Sequence, residues 1–407
     1  MMSRPGIKLS RRQLLGGAAS AAAVAATQGL GGLAQAAARP VRIGFSMAKT
    51  GYLGMASPVA LQAYELWKAQ VNEAGGLEIA GEGRRPVEFV IYDDQSEPVK
   101  AAEAYEKLIS RDKVDLLLAP YGTPFHIAIG PVVERHRVPL IGNTATTTLL
   151  RDLKARYMWF TQSMPDAYAR MLAGFLAAQG VKSASLLTLQ LPASLETKKF
   201  VMPLLKEAGI AVPVNSEYAV SVSDMTGMLG SVKNAKPQAV VALSYPGDSV
   251  LYVNAARESG IDVPIQFLFI GPCTPFFFQK FSRPVIEGIV TLGEWAPSQA
   301  RWPGAKAFFD AYSAKWGEPP DYLDSTICYA SCQILQQAVA TAGLDREKLR
   351  QTISSDTFQT IKGPIRYANA ENVSTVPGLL QIQNGGMEIV WPKEIATAEF
   401  KPKKGWA

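Results

Sequence analysis

The sequence contains few of the residues that metal centres require. Its 407 residues include three cysteines and two histidines. A structural zinc site needs four ligands, most of them cysteine or histidine. His126 and His136 lie far along the chain from Cys273, Cys328 and Cys332. The sequence therefore predicts no metal site.

Catalytic motifs are missing as well. No HExxH, Walker A loop, GxSxG turn or complete GxGxxG follows a predicted strand. No motif places a serine or cysteine nucleophile beside His126, which could otherwise act as a base. The Asp93-Asp94 pair ends a strand and could bind a cation, but the favoured interpretation is a cap of the next loop. We predict that the protein is not an enzyme, has no catalytic residues and needs no cofactor.

The excess of positive charge is small outside the N-terminus. Lysine and arginine number 41 against 35 acidic residues, a net charge of +6. Residues 1–36 contain Arg4, Lys8, Arg11 and Arg12 and no acid, so the remainder carries 41 − 4 = 37 basic residues and a net charge of 37 − 35 = +2. The composition thus predicts no nucleic-acid surface.

The first 36 residues are typical of an export signal. Arg11-Arg12 precede a weakly apolar stretch rich in alanine and glycine, which ends in small residues at Ala34-Gln35-Ala36. The paired arginines resemble a twin-arginine signal, which exports folded proteins. An uncleaved membrane anchor is the alternative, but glycines and Gln28 interrupt the apolar run. We predict a cleaved signal and a periplasmic protein.

Two of the three cysteines are spaced as on one helix face. Cys328 and Cys332 are four residues apart in a predicted helix. We interpret them as small buried apolar residues. A disulfide within the helix is the alternative, although its geometry would be poor.

Short apolar strands alternate with helices in two successive runs. The predicted strands are 41–46, 86–92, 114–119 and 138–141 in the first run, and 184–189, 239–244 and 265–270 in the second. Because these strands are apolar on both faces and each is followed by a helix, they predict parallel sheets covered on both sides. The fold class is therefore α/β, with two doubly wound lobes.

The C-terminal quarter departs from this rhythm. Helices are predicted at 303–316, 322–342 and 345–354. Beyond them, Asn384-Gly385-Gly386 between two apolar runs predicts a β-hairpin.

Several segments together carry a family resemblance. They are Val41–Ser46 with Thr50-Gly51, Glu73–Leu77, Val90–Pro98 and Ile141–Thr146. In this order and spacing they resemble type I periplasmic solute-binding proteins of ABC transporters, in the branched-chain amino acid (leucine–isoleucine–valine) binding family. The resemblance implies two lobes joined by a three-strand hinge, ligand capture by hinge closure, and delivery to membrane permease subunits by a monomeric protein.

The resemblance also implies lobe boundaries. Matching segments place the crossings near 162–163, 295–297 and 361–363. The N-terminal lobe would comprise 41–162 plus 298–361. The C-terminal lobe would comprise 163–297 plus 362–395, followed by a tail at 396–407.

In this family the loops after the third and fourth strands hold the ligand carboxylate through N–H and hydroxyl groups. The matching loops here are Tyr121-Gly122-Thr123-Pro124 and Asn143-Thr144-Ala145-Thr146. The resemblance thus implies a carboxylate-binding site that contains Thr123, Thr144 and Thr146. Ordinary capping of the loops is the alternative for each threonine.

The second lobe of amino-acid binders contributes a tyrosine and an acid for the ligand ammonium. Tyr245 matches the tyrosine, but Cys273 stands where the glutamate is expected. An ammonium buried without a carboxylate would cost several kcal/mol. Asp248 is a possible substitute, or only a helix cap.

Aromatic residues are frequent on the predicted ligand loops. Examples are Tyr52, Tyr121, Phe125, Trp295 and the run at 276–278. Packing inside a lobe is the alternative role, expected for at least half of them. With no amine-binding acid, these residues favour an aromatic or apolar carboxylate as the ligand. Branched-chain or other aliphatic amino acids, amides, and a sensory role with a membrane partner remain alternatives, and Asp248 facing the ligand would favour amino acids.

Overall fold

A computed structural model describes residues 39–406. The predicted export signal at 1–36 lies outside the described residues. The strands are β1 (Val41–Met47), β2 (Leu77–Ile79), β3 (Gly83–Arg85), β4 (Val87–Asp93), β5 (Leu116–Leu117), β6 (Leu140–Gly142), β7 (Met158–Phe160), β8 (Ala184–Leu189), β9 (Asn215–Tyr218), β10 (Ala239–Leu243), β11 (Ile265–Leu268), β12 (Val290–Leu292), β13 (Phe358–Thr360), β14 (Gly363–Ile365), β15 (Tyr367–Ala368), β16 (Glu371–Asn372), β17 (Leu379–Gln383) and β18 (Gly386–Trp391).

The helices separate these strands as the sequence predicts. They are α1 (Pro58–Glu73), α2 (Pro98–Ser110), α3 (Thr123–His136), α4 (Pro165–Ala178), α5 (Pro192–Glu207), α6 (Thr226–Ala235), α7 (Pro246–Ser259), α8 (Pro275–Lys280), α9 (Arg283–Ile286), α10 (Ala305–Trp316), α11 (Asp324–Ala342) and α12 (Arg346–Ser355). Many of them begin with proline, whose fixed φ and missing N–H suit the first turn of a helix. Two 3₁₀ turns, Thr148–Leu153 and Gly271–Cys273, complete the helical elements.

The first run of strands forms two small sheets. One has the order β4-β1-β5, with β1 parallel to both neighbours. The other has the order β15-β16-β7-β6, in which β6 and β7 are parallel. Their side chains share one core with α1–α3 and most of α11.

The second run forms a seven-stranded sheet with the order β18-β17-β12-β11-β10-β8-β9. Its strands from β8 to β12 are parallel, and the predicted hairpin β17–β18 joins its edge antiparallel. The fold class is confirmed: the chain is α/β with parallel-sheet lobes.

The third predicted crossing lies later in the chain than expected. Residues 363–372 stay with the first lobe, because Glu371 pairs with Phe160 and Tyr367 lies in the first core. The last passage to the seven-stranded sheet therefore falls between Asn372 and Leu379 rather than at 361–363. Sequence patterns do not predict this pairing because β15 and β16 are only two residues long each.

The three segments predicted as crossings meet at a buried ion pair. Lys362 Nζ lies 2.6 Å from Glu294 Oε2, with side-chain exposures of 1% and 0%. Ser163 donates a hydrogen bond of 2.6 Å to the other carboxylate oxygen of Glu294. One residue from each segment thus contributes to a single polar network, which we call the hinge network.

The predicted state of the cysteines is confirmed. Cys273, Cys328 and Cys332 are free and buried. Across residues 39–406, no helix combines the length and the apolar character needed to cross a membrane.

Candidate solute-binding site

The carboxyl ends of the parallel strands carry the loops that the sequence predicted to bind the ligand. In doubly wound α/β folds, ligands bind at this end of the sheet. Two contacts bring the loops of the first lobe to the second. Tyr322 N–H donates to the Cys273 carbonyl at 3.0 Å, and Glu196 on α5 accepts a hydrogen bond of 2.9 Å from Thr148 N–H.

The three predicted threonines connect the two ligand loops of the first lobe to each other. Thr144 Oγ1 accepts a hydrogen bond of 2.8 Å from Gly122 N–H, and Thr123 Oγ1 accepts one of 3.0 Å from Thr146 N–H. Thr146 Oγ1 donates to the Ser163 carbonyl at 2.9 Å. The hydroxyl groups therefore brace the loops in this structure, as in the loop-capping alternative.

Backbone N–H groups in the same loops are free. Within residues 39–406, the amides of Thr123 and Ala145 have no hydrogen-bond acceptor. Thr123 is the first residue of α3, where the helix dipole favours a negative charge. Gly122 precedes it with φ = 98°, a conformation that glycine adopts most readily. Ala145 is fully buried and Thr123 half-buried, so the Thr123 amide is the one of the two that is open to an anion such as a carboxylate.

His126 links the same two loops from beneath. Its Nδ1 lies 2.9 Å from the Gly122 carbonyl, and its Nε2 lies 3.3 Å from the Asn143 nitrogen. These partners define a neutral ring with the proton on Nδ1. Burial lowers the pKa of His126 to about 4. The ring therefore acts as a fixed support for the loops.

We predict that Thr144→Val lowers the free energy of unfolding by about 1–3 kcal/mol, because the Gly122 N–H would lose its acceptor inside the protein. Thr144→Ser retains the oxygen and should cost less. Urea denaturation of both variants measures the difference. Equal stabilities for valine and serine at this position would contradict the bracing role of Thr144.

In the second lobe, neither Asp248 nor Cys273 is available to bind an ammonium group. Asp248 accepts hydrogen bonds from the Tyr218 hydroxyl and, at 2.9 Å, from Tyr245 N–H. Burial raises the pKa of Asp248. The Cys273 thiol points into the lobe, where it donates to the Leu292 carbonyl at 3.0 Å. Asp248 is thus a cap of α7 in this structure.

An acid that the sequence analysis did not consider lies between the lobes. Tyr121, on the loop after β5, donates a hydrogen bond of 2.7 Å to Asp324 Oδ2 at the start of α11. Both side chains are partly exposed. Burial, together with the nearby charge of Asp324, raises the pKa of Tyr245 to about 12. Asp324 therefore lies within electrostatic reach of the ligand loops of both lobes.

The aromatic residues divide between packing and exposure. Phe125 and Trp295 are fully buried, and Trp295 packs on Phe308 and Tyr322. Tyr52 is 73% exposed on the loop after β1. Within the run at 276–278, the outer two residues are partly or largely exposed and Phe277 is buried. Phe125, Phe277 and Trp295 are thus packing residues, whereas Tyr52 and Phe276 are exposed.

The Asp93-Asp94 pair serves the loop after β1. Asp93 Oδ1 accepts hydrogen bonds from Lys49 N–H and Thr50 N–H at 3.0 and 3.3 Å, and Asp94 accepts one of 2.7 Å from the Ser46 hydroxyl. No group of three or more metal-binding side chains occurs in the described part of the chain. The loop-cap interpretation therefore agrees with the structure.

Two parallel α/β lobes with facing ligand loops and several crossings define a type I periplasmic binding fold. The chain belongs to the periplasmic binding protein family, whose model matches residues 40–386. It is 23% identical over 393 residues to Leu/Ile/Val-binding protein homolog 7 of Brucella suis, which covers 91% of this chain and 96% of that protein. The predicted family, that of branched-chain amino acid solute-binding proteins, is confirmed.

Solved structures share the fold. LivJ from Streptococcus pneumoniae, in complex with isoleucine, matches with a TM-score of 0.75 and 22% identity, over 87% of this chain and 100% of that chain. A solute-binding protein of an ABC transporter from Rhodopseudomonas palustris, in complex with 3,4-dihydroxybenzoic acid, matches with a TM-score of 0.74 and 19% identity, over 90% of this chain and 98% of that chain.

Proposed function

We propose that this protein captures a small carboxylate between its two lobes and delivers it to the permease subunits of an ABC importer. The observation that carries the proposal is the free, half-buried amide of Thr123 at the start of α3, on loops held together by two threonine hydroxyls. Isoleucine and 3,4-dihydroxybenzoic acid, the ligands of the two structural neighbours, are both carboxylic acids.

Contacts between the two lobes support closure of the lobes on the ligand. Glu196 receives both the N–H and the hydroxyl of Thr148, at one side of the loop that carries Ala145. The hinge network links the first two crossings, near Ser163 and Glu294, about which the lobes turn. A closed form bound to ligand presents a different surface to the permease than an open form does.

Within the carboxylates, an aromatic or apolar acid is the favoured ligand. Tyr52 and Phe276 leave apolar surface exposed near the ligand loops. In the second lobe, Cys273 has no carboxylate, and the carboxylate of Asp248 is engaged in hydrogen bonds within the lobe. An amino acid is the second candidate, and the observation that favours it is Asp324, which lies near Tyr245.

A thermal-shift screen of residues 37–407 tests the proposal. The panel contains aromatic acids, 2-oxo acids, aliphatic amino acids and amides, with benzoate and benzamide as a matched pair. Ligand at a thousand times its Kd stabilises a protein by about 4 kcal/mol. We expect shifts with carboxylates and none with benzamide. Stabilisation by amides alone would contradict the carboxylate site.

A further inference from the structure

The Asp324 carboxylate has one oxygen engaged and one available. Oδ2 accepts the hydrogen bond from the Tyr121 hydroxyl at 2.7 Å. Oδ1 has no hydrogen-bond partner within residues 39–406, and the side chain is partly exposed. Tyr121 thus fixes the orientation of the carboxylate and leaves one acceptor for another group.

The neighbouring acid, Asp321, is committed to the backbone. Its Oδ1 accepts hydrogen bonds from Leu323 N–H and Asp324 N–H at 2.8 and 2.6 Å, and the residue is 3% exposed. It caps the start of α11, as acids commonly do at this position. Asp321 therefore holds the turn that presents Asp324 and offers no exposed group of its own.

The turn that carries Asp324 lies where the two lobes touch. Tyr322 N–H donates to the Cys273 carbonyl of the second lobe. Tyr121 belongs to the loop that contains the free amide of Thr123, whereas Tyr245 follows β10 in the other lobe. A ligand whose carboxylate binds the Thr123 amide is therefore close to Asp324.

The charge of Asp324 favours a ligand group that donates a hydrogen bond. Lys362 acts on Asp324 as a nearby positive charge, but Lys362 is already paired with Glu294 at 2.6 Å. Burial and the charge of Asp324 raise the pKa of Asp321 to about 8, which leaves Asp324 as the charged member of the two acids. A ligand group that donates a hydrogen bond, above all a positively charged one, would relieve this excess of acceptors.

We infer that Asp324 is a specificity-determining residue that selects carboxylates carrying a second, hydrogen-bond-donating group, either an ammonium or a hydroxyl. The inference rests on the proposed function, since it assumes that a carboxylate binds between the lobes. It assigns to the first lobe the recognition that the sequence analysis sought at Cys273 and Asp248 in the second. Tyr121 is a positioning residue that acts through Asp324.

Calorimetric titration of the mature protein with three probes tests the inference. The probes are benzoate, which has no donor, 4-hydroxybenzoate, which has a hydroxyl, and leucine, which has an ammonium. Asp324→Asn should weaken the preferred donor-bearing probe by about ten- to a hundredfold, the range for hydrogen bonds to charged groups. The affinity for benzoate should change less than about threefold. The wild-type preference between 4-hydroxybenzoate and leucine identifies the donor.

Two further variants serve as controls. Asp248→Asn removes an acid from the second lobe and should leave the preference for donor-bearing probes unchanged. Tyr121→Phe frees the Asp324 carboxylate from its hydrogen bond and should reduce the same preference, by less than Asp324→Asn does. Tyr121→Phe also tests the inference if Asp324→Asn fails to fold.

The possible outcomes separate the inference from the proposed function. An unchanged preference in both Asp324→Asn and Tyr121→Phe overturns the inference. Binding of benzoate alone by the wild-type protein also overturns it, while the proposed function stands. If none of the three carboxylates binds, the proposed function fails and the inference fails with it.

Discussion

Lys362→Met should lower the free energy of unfolding by about 3–5 kcal/mol, the cost of leaving a buried charge without its partner. Glu294 is fully buried and would retain only hydrogen bonds from the Ser163 and Tyr168 hydroxyls. Urea denaturation of the wild type and the variant measures the loss. Because both side chains of the pair are buried, we expect it to be among the most sensitive polar positions in the protein.

A surface ion pair provides the control. Lys306 and Asp310 lie 2.6 Å apart on α10, with side-chain exposures of 74% and 56%. Lys306→Met should therefore change the stability by less than about 1 kcal/mol. Replacing Glu294 and Lys362 together with apolar residues should restore part of the loss, since no charge is then left unpaired. Equal effects of Lys362→Met and Lys306→Met would contradict the importance of the hinge network.

Acidification should destabilise the protein through His126. Its pKa of about 4 in the folded protein lies below the value of about 6.5 for an unperturbed histidine. Between these two values the unfolded chain binds a proton that the folded protein does not, so the stability falls as the pH falls from 6.5 to 4. The shift corresponds to about 3 kcal/mol, with no further loss from this group below pH 4.

The difference between the wild type and His126→Gln isolates this contribution. Acids whose pKa is raised in the folded protein, such as Asp94 and Asp248, act in the opposite direction and are present in both proteins. As the pH falls from 7 to 4, the unfolding free energy of the wild type should therefore decrease relative to that of His126→Gln. Parallel pH profiles would show that His126 is not a buried neutral support of the ligand loops.

The regular parts of the fold could be predicted from local sequence patterns. The strand at Val41–Met47, for instance, carries large apolar residues at alternate positions, and a proline at the first turn begins the next helix. The two-residue strands β15 and β16 have no such pattern. They form strands only because residues more than 200 positions earlier lie beside them.

Only the part of the candidate site that follows local sequence patterns could be predicted. Gly122-Thr123 and the loop at Thr144 follow strands, so the sequence places them at one edge of a sheet. Asp324 begins a helix, where an acid has an ordinary capping function. Its contact with Tyr121 joins residues 203 positions apart and becomes visible only in the folded chain. Asp248 was a candidate because it follows β10, yet its hydrogen bonds commit it to capping α7.

Capture of the ligand between the lobes is tested most directly by the distance between them. Cysteines introduced at Val99 on α2 and Val220 after β9, which are 70% and 63% exposed, can carry spin labels, while the three native cysteines are buried. Pulsed electron paramagnetic resonance then measures the distance with and without the carboxylate that gives the largest thermal shift. We predict a shorter and narrower distance distribution with ligand. An unchanged distribution in a protein that the same ligand stabilises would contradict capture by closure.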